Sequence, residues 1–161
     1  MKRPTDRAWW FALPMDAAAT DPVGPATGPR LTSGGGIAMI EEEQAVRQSV
    51  LLLLSTCPGE RVMRPDYGCR LHRLVFAPND TGTAGLAIHY VGEAIRRWEP
   101  RAVIIRLEAG SDLHHTGNPA ILDIVLHYRL RDSGEEGELA LGFDLRQGGL
   151  HDIGGHETPP P

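Results

Sequence analysis

The sequence predicts a single α+β domain: a small antiparallel sheet of three to four strands, covered by two long helices and one short one, with an extended N-terminal arm. Two observations carry this reading. Residues 41–56 and 83–98 place apolar side chains at helical spacing, whereas 102–146 switches to an apolar period of two. Strands that are apolar on one side need a cover, and the striped helices supply it. The switch falls at Trp98-Glu99-Pro100-Arg101, where proline cannot donate a backbone hydrogen bond and drives Glu99 out of the α region.

Residues 1–36 hold Pro14, Pro22, Pro25, Pro29 and the run Gly34-Gly35-Gly36, the composition of an arm. Trp9-Trp10-Phe11 with Leu13 is too apolar to float freely, so the arm is expected to dock on the body or on a neighbour. Ile37 to Ile40 reads as a short strand entering the first helix. Glu41, Glu42 and Glu43 suit the positive end of that helix, and Val46, Val50, Leu53 and Leu54 form its buried stripe. Cys57-Pro58-Gly59 stops it.

A polar loop follows, Gly59 to Gly68, with Pro65 stiffening its middle. Leu71, Leu74, Val75 and Phe76 are expected to lay a short helix on the core, closed by Pro78. Asn79, Asp80 or Thr81 can cap the next helix, whose stripe is Ala84, Ala87, Ile88, Val91, Ile95 and Trp98. Of the three strands, the first puts Val103, Ile105 and Leu107 on one face. The second puts Leu122, Ile124, Leu126, Tyr128 and Leu130 opposite Asp123, His127 and Arg129. The third turns Leu139, Leu141, Phe143 and Leu145 inward, and Asp132-Ser133-Gly134 makes the hairpin before it. The domain is therefore placed at residues 37–146, with 147–161 expected to be a disordered tail.

A length of 161 residues suits one domain, and a formal charge of −5 argues against a general nucleic-acid or anionic-membrane binder. Lys2 is the single lysine among 16 basic residues; arginine forks suit fixed protein contacts, although genomic base bias gives the same composition. Cys57 and Cys69 are too few for a disulfide framework; they could pair, but free thiols in a reducing cytosol are the default. No apolar run reaches the ~20 residues of a membrane span. A soluble, cytoplasmic protein is expected.

For chemistry, Glu60, Asp66 and Glu99 are the carboxylates from which a glycosidase pair could be drawn. Each has an arginine close in sequence (Arg61, Arg64, Arg101), which lowers a carboxyl pKa and disfavours a general acid. His114-His115, with His89 and His127, lacks the spacing of a zinc site, and Cys69 near His72 is a weak nucleophile pattern. No phosphate loop is present: Ser33-Gly34-Gly35-Gly36 has neither the lysine nor a preceding strand. Catalytic residues, metals and cofactors are thus expected to be none. Binding is the remaining class, because a small sheet has edges open to another chain's strand. The border around Leu139, Leu141, Phe143 and Leu145 is the expected edge. If the chain is extended through Pro100, Glu99 and Arg101 share a side, as an internal ion pair or as an interaction site.

Several stretches taken together resemble the GPW-type baseplate wedge family, often labelled lysozyme-like, found in contractile phage tails, type VI secretion and extracellular injection systems. They are Arg47-Gln48-Ser49, Thr56, the run from Pro58 to Gly68, Leu74-Val75-Phe76-Ala77-Pro78-Asn79 and Trp98-Glu99-Pro100-Arg101. The resemblance spans about residues 37–146. It implies a structural subunit, present in several copies around the tail tube, that meets sheath subunits and other wedge and hub proteins and starts sheath assembly. It also implies assembly in the cytoplasm, incorporation into the baseplate, and no nucleic-acid binding or membrane insertion. Glu99, Pro100 and Arg101 match the family's Glu-Pro-Arg motif, implicated in contacts to baseplate and sheath. Glu60, Arg61 and Arg64 lie in the matching loop and are expected to bind partners with it. The family's label keeps a peptidoglycan-degrading hydrolase as the alternative.

Overall fold

The computed structural model describes residues 7–12, 28–111, 113 and 117–154. Strand β1 (Arg7–Trp9) pairs antiparallel with β4 (Met39–Glu41), and β2 (Phe11–Ala12) pairs with β3 (Gly28–Pro29). Helix α1 (Glu42–Ser55), a 3-10 turn (Arg70–Leu74) and helix α2 (Thr81–Trp98) follow. A four-stranded antiparallel sheet completes the chain in the order β5 (Ala102–Gly110), β6 (Ile121–Leu130), β7 (Glu136–Asp144), β8 (Leu150–Asp152).

The core lies between the helices and one face of this sheet. Val46, Val50, Leu53 and Leu54 from α1 and Ala87, Val91 and Ile95 from α2 meet Leu122, Ile124, Leu126, Tyr128, Leu139, Leu141 and Phe143. This is the expected α+β architecture, with its sheet under two long helices and one short one. Asp80 caps α2 by accepting the Thr83 N–H at 2.8 Å, and this bond holds its carboxyl below the usual range. The Asn79 amide donates to the carbonyls of Pro119 and Ile121, fastening the start of α2 to that of β6.

The described part of the arm docks on the chain's own body. Gln48 of α1 donates to the Trp9 carbonyl (2.9 Å) and accepts the Phe11 N–H (2.8 Å), acting as a strand partner to the arm's backbone. Neighbouring Arg47 is ion-paired with Asp152 of β8, so two successive residues of α1 hold both ends of the described chain.

Four expectations need correction. In β5 the pairing with β6 slips between Ile104 and Arg106, a bulge that reverses the phase of the side chains. Ala102 and Ile104 before it, and Leu107 and Ala109 after it, meet the core, while Ile105 is exposed. Phe76, expected on the core, points to solvent. The tail expected to be disordered contains β8, which pairs with β7 over Leu141–Phe143. Beyond β8, Ile153 reaches the second face of the sheet beside Gly142, where Asp123, Val125 and Ala140 are also buried. Finally, β7 is not the open border of the sheet, since β8 lies along it and the side chains of Leu139, Leu141, Phe143 and Leu145 are all in the core.

Candidate partner-docking site

The polar loop after α1 is built by short-range bonds. The Glu60 carboxylate accepts the Cys57 N–H (2.8 Å), the Gly59 N–H donates to the Pro65 carbonyl (2.7 Å), and the Cys69 N–H returns to the Thr56 carbonyl (2.9 Å). Gly68 makes that return possible. Its φ of +130° favours glycine, and a Cβ there would lie 2.4 Å from the Thr56 carbonyl oxygen. Closing its base this way drives the loop's tip outward: Val62 is 90% exposed and Met63 93%, the latter at a left-handed φ of 74°.

The tip is linked to the helix-to-sheet joint by a cation–aromatic contact and a tilted ring pair. The Arg61 guanidinium lies over the Tyr67 ring at 4.0 Å, and that ring packs against Trp98 with centroids 5.4 Å apart. Arg97 adds a 3.7 Å ion pair to Asp66. Burial raises the Tyr67 hydroxyl pKa, Arg61 opposes the rise and Glu99 adds to it, so the phenol senses both halves of the site. One residue beyond Trp98, the Glu99 carboxylate is buried and gripped by Arg101. Arg131 clamps the other side of the joint, its N–H donating to the Arg101 carbonyl (2.9 Å) and its Nε to that of Pro100 (3.1 Å).

The expected partner-binding residues therefore divide. Glu60, Arg61, Arg64 and Pro100 are exposed around this site, and Arg101 is partly so. Glu99 faces inward and fixes Arg101, which is the internal ion pair rather than a free acidic contact. Leu139, Leu141, Phe143 and Leu145 lie elsewhere, in the core. Sequence reasoning missed Val62 and Met63 as the protruding tip, and Tyr67, Trp98 and Arg131 as the scaffold that joins loop to hinge. The aromatic Tyr67 between Pro65 and Gly68 was the available signal, since a ring in so polar a loop needs a packing partner.

The three carboxylates considered for hydrolysis each serve a neighbour: Glu60 the Cys57 N–H, Asp66 the Arg97 guanidinium and Glu99 that of Arg101. Among the described residues no three His, Cys, Asp or Glu side chains gather into a metal site. His89 stands by Tyr90 and Glu93, His127 by Glu138, and His114 and His115 lie outside the described residues. Cys57 and Cys69 are free thiols.

A family model described as baseplate wedge protein gp25 matches residues 40–135. The chain belongs to that family. The match takes in the loop, the hinge, both helices, β5 and β6, and stops before β7. Among solved structures the chain is similar to a Geobacter sulfurreducens protein labelled a tail lysozyme, at 33% identity over 76% of this chain and 100% of the other, with a TM-score of 0.59. It is also similar to a chain of the anti-feeding prophage baseplate, at 25% identity over 78% of this chain and 86% of the other, with a TM-score of 0.60. Comparison with curated proteins found no match. Among the described residues no helix is long and apolar enough to cross a membrane. Loop tip and hinge are thus connected through Tyr67 and Trp98, with Arg61 and Arg64 exposed and Arg101 partly so.

Proposed function

We propose that this baseplate wedge protein joins the baseplate of a contractile particle to its sheath and provides the sheet on which the first sheath ring is begun. The observation that carries this reading is the outer border of β5. Strand β5 is the end strand of its sheet, and among the described residues no strand pairs along its free side. The opposite border of β7 is filled by β8 from Leu141 to Phe143, so an incoming strand finds nine residues of backbone at β5. Main-chain bonds there supply affinity. The tip at Val62 and Met63, flanked by Arg61 and Arg64, together with Arg101 at the hinge, supplies register toward a second partner in the baseplate.

The role is structural and not enzymatic. A general acid needs a carboxyl kept protonated near neutral pH in a cleft, whereas Glu60 and Asp66 are exposed and Glu99 is locked to Arg101. The hydrolase reading draws on the label of the Geobacter protein. Purified chain releasing no soluble fragments from peptidoglycan would remove it.

Amide hydrogen exchange tests the proposal. In the isolated protein the outward amides of β5 exchange freely, and adding purified sheath subunit slows them. Unchanged exchange over residues 102–110 alongside protection elsewhere contradicts strand addition at this border.

A further inference from the structure

We infer that Phe76 is an anchor for another protein of the baseplate, entering an apolar pocket whose rim is acidic. Phe76 is 86% exposed, the opposite of what an aromatic ring gains from folding. Its backbone sits at a left-handed φ of 67°, where glycine or asparagine is at ease and a bulky side chain is strained. That backbone is fixed: the Phe76 N–H donates to the Leu145 carbonyl at 2.6 Å, and the Ala77 N–H to that of Leu74 at 3.0 Å. The chain thus holds a large apolar side chain rigidly in solvent, in a conformation the side chain itself disfavours. Among the described residues none packs on the ring: it is outside the core cluster, and we place its use in contact with another chain.

The flanks indicate what it meets. Arg73 stands three residues before it, and Arg146 follows the Leu145 carbonyl that it bonds; both are exposed, and neither is in an ion pair among the described residues. The nearest carboxylate, Asp144, is folded back onto the Arg146 and Gln147 N–H groups, at 2.7 and 3.3 Å, so the two guanidiniums are the charges left to meet a partner around the apolar knob. Its complement is an apolar pocket rimmed by carboxylates. Rigid aromatic anchors seated in such pockets dominate binding energy, while the charges around them set specificity. Phe76 follows the 3-10 turn and is bonded to Leu145, the residue just after β7; no loop-tip or hinge residue belongs to this spot, so it describes a second contact. The inference rests on the reading of the chain as a baseplate subunit.

The test separates fold from assembly. F76G and F76A are made in the full chain, melted in isolation, and competed against wild type for incorporation into particles in cells that produce them. Glycine relieves the strained backbone, so F76G is expected to melt at or above the wild-type temperature. Its incorporation is expected to fall about tenfold, the effect of losing one anchor, and a double R73E/R146E variant is expected to fall likewise. F76G melting several degrees lower would assign Phe76 to the fold and overturn the inference. Equal incorporation of F76G would overturn it while leaving the baseplate reading intact, whereas wild type missing from particles overturns both. Wild type binding phosphatidylserine vesicles, with F76G failing to do so, would make a membrane the occupant and also overturn it.

Discussion

Arg101 grips the buried carboxylate of Glu99 with two hydrogen bonds, Nε to Oε1 at 2.6 Å and Nη2 to Oε2 at 2.8 Å, across a single intervening proline. Glu99 is only 3% exposed, so the pair orders the joint from within while the outer part of the guanidinium remains accessible. Arg101→Met leaves a buried carboxylate without this partner and is expected to cost about 3 kcal/mol, the low end for a broken buried pair because Arg101 is partly exposed. Adding Glu99→Gln should recover most of that loss. Urea denaturation of the four proteins measures the coupling; additive single effects would show that the two side chains act independently.

The arrangement also bears on how a partner-contact variant is read. Arg101→Glu places a second carboxylate beside Glu99, so a failure to form sheath by that variant reports folding as well as docking. Arg64→Glu, on the exposed loop, is the cleaner probe. Its unfolding free energy should stay within about 0.5 kcal/mol of wild type, as for an ordinary surface change, while its particles carry tube without extended sheath.

Gly68→Ala should be among the most damaging small substitutions in the loop. The new Cβ meets the Thr56 carbonyl oxygen at 2.4 Å in a backbone region that alanine disfavours, so the loss should exceed about 1 kcal/mol. Gly134→Ala is the control. Its φ is also positive, at +76°, but it has nothing within 4 Å of the added carbon, so it suffers the conformational cost alone. Thermal melts of the two variants should rank Gly68→Ala well below Gly134→Ala.

Much of this fold is legible in the sequence, and the illegible parts have physical causes. Helix stripes such as Val46, Val50, Leu53 and Leu54, the cap at Asp80 and the alternation of β6 can be read because each follows from local spacing. The β5 bulge cannot: Val103, Ile105 and Leu107 alternate perfectly in sequence, and only pairing with β6 reveals the extra residue. Strand β8 is three residues after a glycine pair, too short for a periodic signal, and it forms because Asp152 finds Arg47 across the molecule. Spacing placed Glu99 and Arg101 on one side, but spacing carries no depth, so the burial of Glu99 was invisible. Phe76 reads as core by composition, since its left-handed backbone is imposed by the bond to Leu145.

Removing residues 147–161 tests the reassigned C-terminal segment directly. A dispensable tail leaves the melting temperature unchanged. Loss of β8 instead uncovers the Leu141–Phe143 border and leaves the half-buried Arg47 without Asp152, so the truncated chain should melt lower and self-associate through the bared strand. Light scattering and calorimetry distinguish the two.

Alkaline pH should weaken the fold through Cys69. Burial pushes its thiol from 9.0 up to about 11, so the folded state holds a proton that the unfolded state releases. A raised thiol pKa leaves stability intact below the unfolded value and erodes it as pH rises from about 9 toward 11; between pH 8 and 10 the loss is roughly 1 kcal/mol. Tyr128, raised by burial and by Glu43, acts in the same direction above its own ordinary value of 10.0. Cys69→Ala should flatten the decline between pH 8 and 10, and an unchanged slope would assign it to other groups.

The most direct measurement is a reconstruction of the assembled particle that contains this chain, at a resolution where strands are separated. The account predicts the wedge domain beneath the first sheath ring, with a strand from a sheath subunit hydrogen-bonded along the outer border of β5. A domain remote from that ring, or a β5 border that stays bare in the finished particle, would contradict it.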